Sequence, residues 1–215
     1  LCSSDPQVLS RAALVFRPWP APSAPTATIR WTIVPADVPN RWVLRSDAGT
    51  DAVVSGDAAR VVTAVEFQAL RTLLEARSDI LTFHAALVAR GDRGIIVLGP
   101  NEAGKSTLAC ALWRHGFSLI GDDVAIVDPV TAEARSAPRR VSLRRPSRGL
   151  LGEALWAEIL AAPSSEATAD GYVFHPNELD GRRYPPFVKV AACVFLARRG
   201  AQIGSRALSR LDPGA

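Results

Sequence analysis

Residues 94–123 read GIIVLGPNEAGKSTLACALWRHGFSLIGDD, and their first half fits a phosphate-binding pattern. Residues 99–106 match G-x-x-x-x-G-K-[ST], with an apolar strand-type run before them and helix-forming residues after them. The glycines allow successive backbone N–H groups to point at a phosphate chain, and the positive end of the following helix adds to the attraction. The order of strand, loop and helix predicts an α/β fold that binds a nucleotide at this loop.

The loop predicts a site for ATP and Mg²⁺. Lys105 is expected to act in catalysis by reaching the terminal phosphates of ATP, and the hydroxyl of Ser106 is expected to ligate Mg²⁺. The alternative is a glycine-rich turn that carries a surface lysine. The residues expected to bind the nucleotide are Gly99, Asn101, Glu102, Ala103, Gly104, Lys105, Ser106 and Thr107.

Two adjacent carboxylates follow the loop. Asp122 and Asp123 lie 17 and 18 residues after Lys105, the distance needed to complete a helix, turn and run back along a neighbouring parallel strand. Because the carboxyl ends of such strands share one edge of a sheet, both side chains are expected at the phosphates. One would hold the metal and the other would take a proton from an incoming hydroxyl. The alternatives are a turn or N-cap pair, and a metal ligand at Asp128 after the apolar run VAIV.

His84 is a further candidate catalytic residue. It lies in ILTFHAALVAR, residues 80–90, which reads as one strand before the tight turn GDRG. A histidine in such a run is a packed core residue, unless the hairpin places its strand beside the loop strand. In that case the imidazole would hydrogen-bond to the attacking group or to an aspartate.

Composition limits the classes of protein to which the chain can belong. Its 215 residues are 48% hydrophobic, enough for a folded core, and no apolar run approaches the length of about 20 residues that spans a bilayer. The net charge of +4 is too weak a signal for nucleic-acid binding. Cys2, Cys110 and Cys193 show neither disulfide nor metal-ligand spacing. We therefore expect a cytoplasmic protein with no nucleic-acid or membrane partner.

Turn residues and apolar periodicity divide the chain into three parts. Residues 1–60 are predicted to be a β-rich N-terminal domain, because short β-type runs such as AALVF, residues 12–16, alternate with Pro-rich turns in an antiparallel pattern. Residues 61–80 are predicted to be a connecting helix. Residues 81–215 are predicted to be the nucleotide-binding core, which includes the buried strand FVKVAACVFLAR, and one interpretation is that this core continues past residue 215. The aromatic residues expected in the core of the N-terminal sheet are Trp19, Trp31 and Trp42.

The order of features in residues 83–123 resembles the catalytic core of the HPr kinase family and its relatives. In FHAALVARGDRGIIVLGPNEAGKSTLACALWRHGFSLIGDD these features are a histidine on a strand, a short hairpin, the phosphate loop, a helix that ends in glycine and the Asp-Asp pair. The resemblance implies a P-loop kinase core, related to phosphoenolpyruvate carboxykinase, that uses ATP and Mg²⁺ to phosphorylate a serine hydroxyl. It implies Asp122 as general base and Asp123 as metal ligand, supported by His84, with the order of the two aspartates left open.

Two departures limit what the resemblance implies. The HPr enzymes have Glu directly after the loop serine, where this chain has Thr107, and Pro146 occupies an acidic position before an echo of their Arg-Gly-Leu signature in residues 148–151. The reverse, phosphate-releasing activity of those enzymes is therefore not expected here. Related kinases phosphorylate natural-product precursor peptides or free serine, so the expected acceptor is a hydroxyl-bearing peptide, protein or small molecule. The oligomeric state is left open.

A second resemblance is local. GPNEAGKST also resembles the loop of ABC-type and chromosome-maintenance ATPases, but those enzymes need a glutamine loop and an LSGGQ-like signature. Gln202 is the only glutamine after the loop, and no Ser-Gly-Gly run occurs. The alternatives to a kinase are therefore such an ATPase, or a nucleotide-binding regulatory protein with little turnover.

Six arginines downstream of the aspartates are open to two interpretations. They would clamp phosphates or an acidic peptide through bidentate contacts, or they would form a solvated basic face. They are Arg135, Arg139, Arg140, Arg144, Arg145 and Arg148. His115 and His175 are interpreted as surface or structural residues.

Overall fold

The structure of the chain is a computed structural model of a mixed α/β protein, which confirms the predicted fold class at that level. The described residues are 2–16, 29–47, 49, 51–137, 139–180 and 187–197. Trp19 and the last part of the predicted core, residues 198–215, lie outside these ranges. Within them, none of the helices combines the length and apolar character needed to cross a membrane.

A four-stranded sheet forms the N-terminal part of the chain. Its strands, in spatial as well as chain order, are β1 (Cys2–Ser3), β2 (Trp31–Pro35), β3 (Arg41–Ser46) and β4 (Asp51–Ser55). The pairs β2–β3 and β3–β4 are antiparallel, as predicted. β1 runs parallel to β2, so the expectation of an antiparallel sheet is wrong for that strand.

Two helices, α1 (Pro6–Phe16) and α2 (Ala58–Glu75), pack on this sheet. The strand predicted for residues 12–16 is wrong, because these residues form the end of α1. Asp5 starts this helix by accepting a hydrogen bond of 2.7 Å from the backbone N–H of Gln7. The buried residues of α1 recur at helical spacing and are Val8, Ala12 and Val15.

Helix α2 begins at Asp57, whose carboxylate accepts a hydrogen bond of 3.0 Å from the backbone N–H of Arg60. Its apolar face shares one core with α1 and the sheet, in which Trp31 is buried and Trp42 half-buried, as predicted. We call the four-stranded sheet with α1 and α2 the N-terminal unit. The domain boundaries placed at residues 60 and 80 stay predictions.

Ten strands follow α2 in the described part of the chain. They are β5 (Leu81–Phe83), β6 (Ala86–Arg90), β7 (Arg93–Leu98), β8 (Ser118–Gly121), β9 (Ala125–Val127), β10 (Glu133–Ser136), β11 (Val141–Arg144), β12 (Glu166–Ala167), β13 (Gly171–Phe174) and β14 (Val188–Phe195). Seven of them form one sheet in the order β5-β9-β10-β14-β7-β6-β8, and β11, β13 and β12 form a separate sheet. Of the described pairs in the large sheet, β14–β7 is parallel and the others are antiparallel.

The large sheet curls so that its edge strand β8 meets β10. A methyl group on Gly121 in β8 would collide with the side chain of Ser136 in β10, so the two strands lie in direct contact. The enclosed face is filled by apolar side chains. They include Leu87, Ile96, Ala125, Val127, Ala134 and Val188.

Helix α3 (Lys105–Arg114) follows β7 through the phosphate loop and packs on the outer face of the sheet, where Trp113, Leu119 and Phe174 share a core. The helix ends where predicted, because Gly116 adopts a left-handed φ of 88° directly after the last turn. The remaining described helical segments are a 3₁₀ turn (Arg145–Ser147), α4 (Arg148–Leu151), α5 (Glu153–Ala161) and α6 (Asn177–Asp180).

The single strand predicted for residues 80–90 is two strands in the structure. β5 pairs with β9, whereas β6 pairs with β7 and β8, so His84 lies in the break between two strands and not on a strand. β8 pairs with β6 and not with the loop strand β7, which corrects the expectation that the aspartates follow a neighbouring parallel strand. Because β6 is antiparallel to both, β7 and β8 still run in the same direction and end at the same edge of the sheet.

The buried strand predicted near the C-terminus is β14. It lies between β10 and β7, so its backbone is paired on both sides. Val188 is buried, but Cys193 is exposed and Phe195 is 61% exposed. The expectation of burial is therefore wrong for most of this strand, because other described residues leave most of its side chains uncovered.

Candidate active site

The phosphate loop connects β7 to α3 and depends on left-handed backbone conformations. Gly99 has a φ of 150°, Glu102 of 66° and Gly104 of 97°. A side chain at Gly99 would also place a Cβ atom 2.8 Å from the carbonyl oxygen of Leu196. Glycine at this position therefore fits both the torsion and the close approach of the chain.

Lys105 is folded back onto the loop that precedes it. Its Nζ atom donates hydrogen bonds to the carbonyl oxygens of Gly99 at 3.0 Å and Pro100 at 3.2 Å, and the residue is only 7% exposed. These two contacts hold the ammonium group at the mouth of the loop. An ammonium group in this position would attract an anion bound by the backbone N–H groups of the loop.

Ser106 and Asp122 are brought together from α3 and the end of β8. The Ser106 hydroxyl donates a hydrogen bond of 2.9 Å to Asp122 Oδ1, and the backbone N–H of Ser142 donates one of 3.3 Å to Oδ2. Asp122 is 3% exposed, and this burial raises the pKa of its carboxyl against the effect of the two hydrogen bonds. The pair presents adjacent hydroxyl and carboxylate oxygens, the donor type that Mg²⁺ prefers.

Asp123 is more open than its neighbour. Its Oδ1 lies 3.0 Å from His84 Nδ1, its Oδ2 lies 2.7 Å from Arg139 Nη1, and 42% of its side chain is exposed. The residue adopts a left-handed φ of 72°, a region in which Asp is more frequent than most other non-glycine residues. The structure thus brings His84 to the aspartate pair, although the strand expected to carry it is interrupted there.

Asp128 lies in the turn after β9 and not with these residues. Its Oδ1 accepts hydrogen bonds from the backbone N–H groups of Val130 at 2.8 Å and Thr131 at 3.0 Å. These bonds lower the pKa of its carboxyl, Thr131 contributing most. The side chain therefore caps a turn, as Asp commonly does before such a bend.

Glu66, which the sequence did not indicate as a site residue, reaches the site through Arg139, one of the six arginines that the sequence did indicate. Glu66 lies on α2 and is 2% exposed, and its Oε2 is 3.7 Å from Arg139 Nε. Burial raises the pKa of Glu66, while the nearby guanidinium groups of Arg139 and Arg140 act in the opposite direction. The sequence did contain a signal for Glu66, because this charged residue lies among the buried apolar residues of α2, next to Val65.

The predicted arginine cluster does not act as one surface. Arg140 is buried and donates a hydrogen bond of 2.9 Å to Glu166, and Arg144 reaches back to Glu102 in the phosphate loop at 3.0 Å. The interpretation as a solvated face holds for the exposed members of the cluster. Apart from Arg144, these are Arg135, Arg145 and Arg148.

Thr107 replaces the glutamate of the HPr enzymes and has a local role in this structure. Its hydroxyl lies 2.8 Å from the Ser147 hydroxyl, which ties α3 to the 3₁₀ turn. Pro146, in the same turn, occupies the position where those enzymes have an acidic residue. Thr107 and Pro146 thus stand at the two positions where the family pattern has acidic side chains.

A cavity of about 600 Å³ lies between α1 and the start of α2. Its lining residues include Arg11, Leu14 and Asp57, and it contains none of the predicted site residues. Residues 99–104 of the phosphate loop are instead exposed or half-buried. The loop geometry and not the cavity therefore defines the candidate active site.

Comparison with known proteins gives two similarities. The chain is 37% identical over 76 residues to HPr kinase/phosphorylase from Lactobacillus delbrueckii subsp. bulgaricus, an alignment that covers 35% of this chain and 23% of that protein. The chain thus matches less than a quarter of the relative's length. No family model matches the chain.

The second similarity is to the structure of the HPr(Ser) kinase/phosphatase from Coxiella burnetii. It covers 63% of this chain and 73% of that chain, with 19% sequence identity and a TM-score of 0.36. A TM-score of this size does not establish a common fold. The resemblance to the HPr kinase family that the sequence predicted is confirmed by the sequence match, over the part of the chain that the match covers.

Proposed function

We propose that the chain is an ATP-dependent kinase that transfers the γ-phosphate to a serine-type hydroxyl of a peptide, protein or small molecule. The observation that carries the proposal is the placement of Asp122 against Ser106 and of Asp123 against His84, at 2.9 Å and 3.0 Å. One carboxylate is buried beside the phosphate loop and the other is open to solvent. Such a pair supports a division of work between a metal ligand and a proton acceptor.

The loop would bind the phosphates of ATP. Backbone N–H groups of Gly99, of residues 101–104 and of the start of α3 would surround them, because helix N-termini and glycine-rich loops favour anions. Lys105 would exchange its contacts with the loop carbonyls for contacts with the terminal phosphates. Its charge would then neutralise the phosphoryl group during transfer.

Ser106 and Asp122 would hold Mg²⁺. Their oxygens are already within hydrogen-bond distance of each other, and no cluster of three or more His, Cys, Asp or Glu side chains that could hold a metal occurs in the described residues. The remaining ligands would be phosphate oxygens and water, because Mg²⁺ at phosphate sites is held by one or two protein oxygens together with the phosphates. When bound, the ion would neutralise charge on the phosphates of ATP.

Asp123 would act as the general base, which exchanges the roles that the resemblance implied for the two aspartates. Asp122 is buried and committed to Ser106 and Ser142, whereas Asp123 has a partly exposed carboxylate that an incoming hydroxyl can reach. His84 would orient that carboxylate through its 3.0 Å contact.

The reaction would be a direct, in-line transfer. The acceptor oxygen forms a bond to the γ-phosphorus as the bond to the bridging oxygen of ADP breaks, and the hydroxyl proton passes to Asp123. The products are ADP and a phosphorylated hydroxyl. The sequence match to a protein named HPr kinase/phosphorylase supports this class of reaction, although the alignment covers only 23% of that protein.

One assay tests the proposal against its alternatives. The full chain is incubated with γ-labelled ATP, Mg²⁺ and serine-containing peptides or free serine. Label on an acceptor hydroxyl supports the kinase. Release of free phosphate alone would indicate an ATPase, and ATP binding without turnover would indicate a regulatory nucleotide-binding protein; either result overturns the proposal.

A further inference from the structure

The geometry points to Glu66 and Arg139 as positioning residues through which helix α2 of the N-terminal unit orients the carboxylate of Asp123. The inference rests on the proposed kinase function, in which Asp123 takes the proton of the acceptor. It gives the N-terminal unit a direct effect on turnover. Neither Glu66 nor Arg139 needs to touch ATP or the acceptor.

Three side chains form a chain of contacts from the core of α2 to the site. Glu66 Oε2 lies 3.7 Å from Arg139 Nε, and Arg139 Nη1 lies 2.7 Å from Asp123 Oδ2. Exposure of the side chains rises along this chain, from 3% for Glu66 to 11% for Arg139 and 42% for Asp123. Arg139 is thus fixed between a buried carboxylate and the one that faces solvent.

A buried pair of charged side chains contributes little to the stability of a protein. Removing two charges from water costs several kcal/mol per ion, and apolar side chains of the same volume often stabilise a core equally well or better. Glu66 Oε1 and Arg139 Nε also make no side-chain hydrogen bond among the described residues. The pair is therefore not a fully satisfied structural bridge, and its geometric effect is to aim Nη1 of Arg139 at Asp123.

The orientation of the Asp123 carboxylate depends on a contact at each of its oxygens. Asp123 has a φ of 72°, in the left-handed region, and its two carboxylate oxygens are held by different partners, His84 and Arg139. Loss of the contact at Oδ2 would leave the carboxylate free to rotate about the contact at Oδ1. A misplaced base slows proton transfer while the nucleotide still binds the loop.

A neighbouring network supplies a matched control. Arg140 donates hydrogen bonds to Thr63 on α2 at 3.1 Å and to Glu166 at 2.9 Å, so it links α2 to the same segment that carries Arg139. Thr63 lies one helical turn before Glu66. The described contacts of Asp123 are with His84 and Arg139, and Thr63 contacts neither of them, so the Thr63→Ala substitution removes a link between α2 and the core without disturbing the contacts of the base.

The test compares wild-type full chain with Glu66→Gln, Arg139→Lys, the double variant and Thr63→Ala. For each protein we would measure kcat for transfer from γ-labelled ATP to a serine-containing peptide or free serine, the Kd for ATP·Mg²⁺ and the thermal midpoint. We expect Glu66→Gln to lower kcat about tenfold, with the Kd for ATP unchanged. The double variant should be no slower than Arg139→Lys alone, because both changes break one chain of contacts.

The outcomes separate the inference from the function on which it rests. If wild type transfers phosphate and Glu66→Gln keeps its kcat, or loses no more than Thr63→Ala, the positioning role is overturned and the kinase proposal stands. If wild type transfers phosphate to neither peptide nor free serine, the kinase proposal fails and the inference fails with it. If Glu66→Gln does not fold, the test uses Arg139→Lys, which keeps the positive charge. A lower kcat with an unchanged Kd for ATP then supports the positioning role, and an unchanged kcat overturns it.

Discussion

The hydroxyl of Ser106 lies 2.9 Å from Asp122 Oδ1, so the first turn of α3 is joined directly to the end of β8. The two residues are 16 positions apart, and α3 after its first turn lies between them together with β8. Their contact places a buried carboxylate at the phosphate loop. It is the relationship on which the assignment of Asp122 as a metal ligand depends.

Replacing Lys105 by alanine is expected to weaken both binding and turnover. The substitution removes the charge held at the loop mouth by the Gly99 and Pro100 carbonyls. We expect the Kd for ATP to rise at least about tenfold and kcat to fall about a hundredfold, since charge-assisted contacts to phosphate are lost in both the bound and the transition state. Fluorescent-nucleotide titration and the γ-labelled ATP assay measure these changes.

The matched control for Lys105 is Lys189→Ala. Lys189 is the other lysine of the chain and lies on β14, outside the loop. Its Nζ donates a hydrogen bond of 2.9 Å to the carbonyl oxygen of Thr131. The Lys189→Ala substitution should leave the Kd for ATP and the kcat unchanged. Equal losses in both variants would mean that Lys105 has no special role at the loop.

Substitutions of the two aspartates by asparagine are expected to have different effects on activity. Asp123→Asn should lower turnover by a factor of about 10² to 10⁴ with ATP binding retained, because it removes the proton acceptor while leaving the loop intact. Asp122→Asn should instead raise the Mg²⁺ concentration needed for half-maximal activity, because it removes a charged ligand. Titrations of activity with Mg²⁺ distinguish the two variants. If Asp122→Asn lowers turnover and Asp123→Asn raises the Mg²⁺ requirement, Asp122 is the base and Asp123 the metal ligand, as the family resemblance implied.

Gly99→Ala is expected to destabilise the chain as well as the site. A Cβ atom would lie 2.8 Å from the Leu196 carbonyl oxygen on a residue with a φ of 150°. We expect a loss of about 2 kcal/mol in the free energy of unfolding, together with loss of nucleotide binding. Chemical denaturation and nucleotide titration measure the two effects.

Gly91→Ala is the control for this substitution. Gly91 has a left-handed φ of 64°, but nothing lies within 4 Å of an added Cβ. The variant should lose only about 1 kcal/mol from the torsion and should bind nucleotide normally. A loss in Gly99→Ala no greater than this would show that the close approach to Leu196 does not matter.

His175 should make stability depend on pH. It is 2% exposed, and burial lowers its pKa from 6.5 to about 4. Glu178 opposes this shift and Arg140 adds to it. Between these two pKa values the unfolded chain binds the proton and the folded chain does not, so stability falls as the pH drops from 6.5 towards 4 and is unaffected above about 7.

Thermal unfolding at pH 7 and pH 5 tests this dependence. The midpoint of wild type should be lower by several degrees at pH 5, and His175→Gln should reduce the difference. His115→Gln, a change at an exposed histidine, should leave it as in wild type. An identical pH dependence in His175→Gln would contradict the assignment.

Local patterns were sufficient for the mixed α/β class, the strand and helix on either side of the phosphate loop, and the glycine that ends α3. These features depend on residues close together in sequence, where side-chain spacing and glycine torsions act directly on the backbone. The same local reasoning failed for residues 12–16. Their apolar run also fits a strand, and the cap at Asp5 together with burial against the N-terminal sheet makes it a helix.

The sequence by itself determined the loop motif at residues 99–106, the two adjacent aspartates and the similarity to the HPr kinase family. Only the tertiary structure decided that β6 separates β7 from β8, that His84 occupies a break between strands, and that Glu66 of the N-terminal unit reaches Arg139. The physical reason is that sheet order and contacts between units depend on how distant surfaces bury one another. A residue's own neighbours in the chain carry little information about that choice.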